Sequence, residues 1–219
     1  MGDVEAVQAL VVVDVQRAFF GGEGAVPGAR VVREAVEGML VRAREAGVLV
    51  VHLQNDGAAG ADDEVGTAGW ELALAVVEGD REVVVRKEHD DGFAGTSLGG
   101  LLVGAGVKGI AVCGVMSEMC VSATARTALA RGYRVVLPHD AHATYDVPAA
   151  EGISDAVPAA TVSRVAEWAL GDEAEIVARA VDVRFEAGGR AGGEVSGRAR
   201  RDHHDLASVL VDDPARRHR

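Results

Sequence analysis

GIAVCGVMSEMCVSATARTALARGYRVVLP, residues 109–138, decides the fold. Its first seven residues form a small, apolar run without polar alternation, and RVVLP (134–138) is a second such run. Between them Val121, Thr124, Ala125, Ala128 and Leu129 recur at helical spacing, and Gly132 stands at the stop, which predicts a helix over 119–131. Strand, helix and strand in that order, with strands apolar on both faces, make the repeating unit of a parallel sheet covered on two sides.

The same alternation extends outward. ALVVV (9–13) reads as a buried strand ending at Asp14, and a Gly-rich turn follows at 21–28. The next stretch places Val32, Val36, Met39, Leu40 and Ala43 on one helical face and stops at Gly47. VLVVHL (48–53) is a second strand, and an acidic, Gly-containing loop runs from Asn55 to about Gly69, with a short helix expected over Trp70 to Val77. VVVR (83–86) is a third strand leading into Lys87, followed by a helix at 96–103 capped by Thr96. A helix near 158–170 and the apolar segment 175–183 complete the pattern. The expected fold is α/β, a three-layer α/β/α sandwich with a central, mostly parallel sheet, spanning residues 1–186. Residues 187–219 hold abundant Gly, seven Arg and five acidic residues, and read as a flexible tail of about +2. In that tail LASVLV (206–211) is a small docking cluster, and His203–His204 is too little for a metal site.

Composition bounds the function. The chain has 219 residues, 48% of them apolar, so it is long enough and apolar enough to bury a large core. No apolar run approaches the roughly 18 residues of a membrane span. The first residues, MGDVEAVQAL, carry acids where a signal peptide carries bases, and a cytoplasmic location is expected. The net charge of −12 argues against nucleic acid or an anionic membrane as partner. Two cysteines, Cys113 and Cys120, make no disulfide framework. Only two lysines occur, Lys87 and Lys108, against 20 arginines.

In an open parallel sheet, sites gather beyond the carboxyl ends of the strands. Asp14, Lys87 and Cys120 all follow strand ends. Cys120 sits where a helix begins, a place where free N–H groups and the helix dipole favour a thiolate. A neighbouring ammonium at Lys87 favours it further, and a carboxylate at Asp14 can take the thiol proton. The backbone of the Val115–Met116 loop and the amide of Cys120 can face a developing oxyanion. Cys113 lies inside an apolar strand and reads as packing. Gln16, Phe20, Trp70, His89, Phe93, Glu118 and Tyr145 are candidate substrate contacts, and Phe19 a further wall. His142, in DAHATYD, reads as a hydrogen-bonded loop residue.

These residues resemble the isochorismatase-like cysteine hydrolases, a superfamily that includes nicotinamidases and N-carbamoylsarcosine amidohydrolase. The likeness is carried by ALVVVDVQRAFF, VVRKEHDDGFAGTSLGGLL and GIAVCGVMSEMCVSATARTALARGYRVVLPHDAHATYD, and covers about residues 8–180. It implies a triad of Asp14, Lys87 and Cys120, an oxyanion hole of the Met116 and Cys120 amides, and a cis peptide between Val115 and Met116. It also implies a homodimer or homotetramer. The metal site of nicotinamidases uses closely spaced histidines after the second strand. Here VHLQNDGAAGADDEVG has none between His52 and His89, so neither a metal nor another cofactor is expected.

Isochorismatases proper cleave a vinyl ether without a nucleophilic Cys, so Cys120 favours amide chemistry. The segments around Cys120 and Tyr145 are most similar to the nicotinamidase-related branch, which includes a hydrolase that opens the lactam of a cationic antibiotic. The expected activity is metal-independent cleavage of a non-peptide C–N bond in a small, cationic cyclic amide. Two other readings stay open: hydrolysis of an N-carbamoyl, ureido or nicotinamide-like amide, and a non-catalytic thiol sensor on the same fold.

Overall fold

The structure is a computed structural model that describes residues 5–77 and 79–188. The tail expected from residue 187, with its apolar cluster and its histidine pair, lies outside the described residues beyond Gly188. Among the described residues seven strands form one sheet: β1 (Ala9–Val13), β2 (Leu49–Asn55), β3 (Glu82–Lys87), β4 (Gly109–Val115), β5 (Arg134–Pro138), β6 (His142–Ala143) and β7 (Ala174–Val177). Their order is β3-β2-β1-β4-β5-β7, with β6 paired to the end of β4. Every pairing is parallel.

Uninterrupted apolar strands are what a two-sided core demands. All five residues of β1 and all seven of β4 are buried. Leu10, Val12, Ala111, Cys113 and Val115 face one layer, whereas Val11, Val13, Ile110 and Val112 face the other. Helix α2 (Ala29–Glu45) closes the first layer with Val32, Val36, Met39, Leu40 and Ala43, the five residues its periodicity singles out. Helices α3 (Leu98–Gly104) and α4 (Ser122–Ala130) close the second with Leu98, Leu102, Ala125 and Ala128. A single turn, α1 (Arg17–Phe20), precedes α2, and α5 (Ala159–Trp168) lies against β6 and the turn before α4. The result is the expected α/β/α sandwich. No described helix is long and apolar enough to cross a membrane.

Two local expectations fail. Residues 70–77 form no helix, because their backbone bonds go to another segment. Arg17 N–H donates to the Glu71 carbonyl and Ala73 N–H to the Val15 carbonyl, so 71–73 run alongside the end of β1. The helix expected from 119 starts later. Residues Ser117–Val121 form a π turn with Met119 out of helical geometry, and regular helix begins at Ser122.

The strand order reverses between β1 and β4, the switch point beyond whose carboxyl ends open α/β sheets place their crevice. The two strands approach closely there. Gly114 pairs with Val13 at φ +117°, and a Cβ on it would lie 1.9 Å from the Val13 carbonyl oxygen. Gly114→Ala must therefore push β1 from β4 immediately before Asp14. Thermal or denaturant unfolding is expected to show a loss of about 2–4 kcal/mol; an unchanged midpoint would contradict the close approach.

Candidate active site

Each of the three strand-end residues reaches the crevice by its own route. Asp14 follows β1 at φ +50° and is the one described non-glycine residue with positive φ, a conformation that Asp tolerates better than most. Its N–H donates to the Leu53 carbonyl, and its own carbonyl accepts from Gln16 N–H. Lys87 is the last residue of β3. Cys120 is the fourth residue of the π turn, and the peptide between Val115 and Met116 just before that turn is cis. The turn folds back on itself, with the Met116 carbonyl accepting from both Met119 and Val121.

Lys87 joins the other two. Its ammonium lies 2.7 Å from Asp14 Oδ2 and 3.3 Å from Cys120 Sγ, and it also reaches Asn55 Oδ1 at 3.4 Å. Asp14 and Lys87 are each only 2% exposed. Asp14 Oδ1 is buried with no hydrogen-bond partner among the described residues, so one carboxylate oxygen is held and the other is free.

Burial dominates the electrostatics. It pushes Asp14 up to about 6, against the pull of the Lys87 charge. It also raises the Cys120 thiol, and the Asp14 carboxylate raises it further; Lys87 works the other way without prevailing. For Lys87 burial opposes the charge, yet Asp14 and Cys120 outweigh it and hold the ammonium above its ordinary range. The resting thiolate expected at a helix start is thus replaced by a neutral thiol beside a carboxylate of shifted basicity. The reason is structural: Cys120 lies inside an enclosed turn and not at the open end of α4.

The candidate substrate contacts divide. Gln16 is fully buried, its NH2 donating to the Asn55 and Trp70 carbonyls and its oxygen accepting from Asn55 N–H, so it clamps backbone and faces no substrate. Phe93 belongs to the core, stacked on Tyr133 and under Arg131. Phe19 and Phe20 pack against the core beside α2. The Trp70 indole donates to Asp56 and lies under Arg86. Glu118 accepts from Thr144, and the Tyr145 hydroxyl donates to the Gly24 carbonyl. His89 lines, with Asp56, Arg86, Lys87, Glu88 and Thr96, a cavity of about 460 Å³ at the end of β3, although the Lys87 side chain itself is buried away from it. A larger one of about 970 Å³ lies by Leu49 and Ser97, at the other end of β2, and touches none of the three.

Two neighbours were missed from sequence. Asn55 holds Lys87 and donates to Asp63 at 2.7 Å; it ends β2 just as Lys87 ends β3, so the strand-end rule applied to every strand would have found it. Exposed Asp90 places Oδ1 3.5 Å from Cys120 Sγ. Its loop is pinned to α4 by Gly92 N–H on Thr124 and by Thr127 on Asp91.

Comparison with known proteins identifies relatives of the chain. The family model described as the isochorismatase domain matches residues 8–168. The chain is 68% identical over 181 residues to a streptothricin hydrolase of Streptomyces noursei, covering 83% of this chain and 66% of that protein. A second streptothricin hydrolase of that organism is 66% identical over 187 residues, covering 85% and 74%. The chain thus spans about two thirds to three quarters of the length of these relatives. Among solved structures, an isochorismatase from Pseudomonas putida KT2440 superposes with a TM-score of 0.73 at 28% identity, over 80% of this chain and 90% of that one. An N-carbamoylsarcosine amidase from Thermoplasma acidophilum gives 0.65 at 25% identity, over 78% and 95%.

The two thiols differ in access: Cys113 is wholly buried in β4, whereas Cys120 is half-buried at the crevice. Native protein treated with iodoacetamide is expected to be labelled at Cys120 alone. Lys87→Met should slow that labelling roughly tenfold or more, because an adjacent cation is worth about one to three pKa units to a thiol. Equal labelling of both cysteines, or a rate indifferent to Lys87, would contradict the geometry.

Proposed function

This chain belongs to the isochorismatase family, and on that premise we propose that it opens the lactam of a streptothricin-type compound through a thioester on Cys120. What carries the chemistry is the single ammonium of Lys87, bonded at once to Asp14 and Cys120. What supports the substrate is the identity to two streptothricin hydrolases.

Asp14, through its unpartnered oxygen, takes the Cys120 proton as Sγ attacks the carbonyl carbon. The new C–S bond places a negative charge on oxygen, and the Met116 and Cys120 amides hold it. Collapse breaks the C–N bond, and Asp14 returns the proton to the departing nitrogen. In a cyclic amide that amine stays attached, so the whole substrate remains on the enzyme as a thioester. Asp14 then takes a proton from water, the hydroxide attacks the thioester, and the C–S bond breaks as Asp14 returns that proton to sulfur, which releases an amino acid and restores the thiol. Lys87 keeps a positive charge beside both groups throughout and transfers no proton. Asp90, at the thiol and open to solvent, offers a carboxylate to a cationic substituent.

Streptothricin is expected to gain one water on incubation, read by mass spectrometry, and to be turned over faster than nicotinamide or an N-carbamoyl amino acid; the reverse ranking would reject the lactam. Cys120→Ala should abolish turnover and Asp14→Asn should lower it about a thousandfold. Asp14 must be ionised to act as base, so kcat/KM should rise with pH through about 6 and fall roughly tenfold per pH unit below it. A flat acid limb would remove Asp14 from that role. Asp90→Asn should raise KM for the cationic lactam more than for a neutral amide.

A further inference from the structure

A second cluster of chemistry-bearing side chains lies on the far side of the π turn. His139 and His142 stand three residues apart around a 3-10 turn, where residues i and i+3 lie over one another, so both rings leave the chain on one side. Their centroids are 6.2 Å apart with the rings perpendicular. Both point at Glu167 on α5. His139 Nδ1 and His142 Nε2 converge on the same carboxylate oxygen, Oε1, the second at 3.0 Å. His142 and Glu167 are 4% and 2% exposed.

A single carboxylate oxygen thus holds both imidazoles, as its two lone pairs allow. One nitrogen from each imidazole and one carboxylate oxygen lie within 4.8 Å of one another, with His139 at the surface and the other two buried. The remaining nitrogen of His142 is also occupied. Nδ1 lies 2.7 Å from Ser117 Oγ, which lies 2.9 Å from Ser163 Oγ. Nε2 lies at hydrogen-bond distance from the carboxylate, and a metal takes the place of its proton when Nδ1–H donates to the hydroxyl, the orientation that outer hydrogen bonds give a metal-bound histidine. The other charged group on the carboxylate is the Arg164 guanidinium, 3.5 Å from Oε2 and on the other oxygen. Beside the rings lies a cavity of about 470 Å³, lined by His139, His142, Ser163, Thr144 and Val32 among others, with room for water as a further ligand.

The geometry points to a divalent transition-metal site of the zinc type at His139 Nδ1, His142 Nε2 and Glu167 Oε1. Two imidazoles and a carboxylate suit such an ion, and three protein ligands leave a tetrahedral position for water. The site is separate from Asp14, Lys87 and Cys120, and the reaction proposed above does not use it. The link between the two is Ser117, which opens the π turn that carries Cys120.

The test is zinc titration of the untagged protein by calorimetry, with bound metal counted after desalting. Wild type and Cys120→Ser should each take up one equivalent. His139→Ala, whose side chain is half exposed and whose loss the fold tolerates, should bind roughly tenfold or more weakly, and Glu167→Gln likewise. Cobalt should give visible d–d bands without the sulfur-to-metal charge-transfer band that a site at Cys120 would add. No uptake by the wild type, unchanged affinity in His139→Ala, or loss of binding in Cys120→Ser would each overturn the assignment.

Discussion

The buried ammonium of Lys87 is the constraint on which the site depends. An isolated charge taken out of water costs several kcal/mol unless partners repay it in place. Lys87 is 2% exposed, and Asp14, Cys120 and Asn55 surround it. Those partners come from the ends of β1, β2 and the turn after β4, so the pairing exists only when four parallel segments are in register. The order β3-β2-β1-β4 supplies that register, and Gly114 lets β1 and β4 approach where it matters. Fold and site are thus one requirement seen at two scales.

The same burial sets the reactivity. In open water the carboxylate would be ionised at neutral pH and the thiol would titrate at about 8.5. Here desolvation lifts Asp14 to about 6 and keeps the thiol protonated. The pair therefore stores its proton on sulfur and moves it only when a carbonyl is there to take the electrons. A carboxylate near 6 is a better acceptor than an ordinary one and a better donor to the departing nitrogen than a lysine. One residue can serve both half-reactions for that reason.

Much of this was legible in the sequence, unevenly. Long apolar runs such as Gly109–Val115 mark strands at their observed ends, since a strand buried on both faces is mostly apolar and keeps a polar residue only where it finds a partner, as His52 does on Glu82. The face of α2 was readable because 3.6-residue periodicity is local. Residues 70–77 were not, because their partners are at 15–17, and no local pattern encodes a distant backbone acceptor. The strand-end rule and the family likeness named Asp14, Lys87 and Cys120, which the fold brings together. Gln16 and Phe93 were candidate contacts whose side chains the fold turns inward, since side-chain direction is decided by packing. The histidine pair with Glu167 escaped because the carboxylate lies 25 residues beyond His142, on a helix whose apolar pattern alone attracts notice.

The proposed chemistry requires a covalent bond at Cys120, and intact-protein mass after acid quenching tests it most directly. With a lactam the leaving amine stays attached, so the account predicts a transient species heavier by the entire substrate, located by digestion on the peptide that contains Cys120. An adduct on any other residue would contradict it, and so would an unmodified protein that continues to turn over when Cys120 is replaced by alanine.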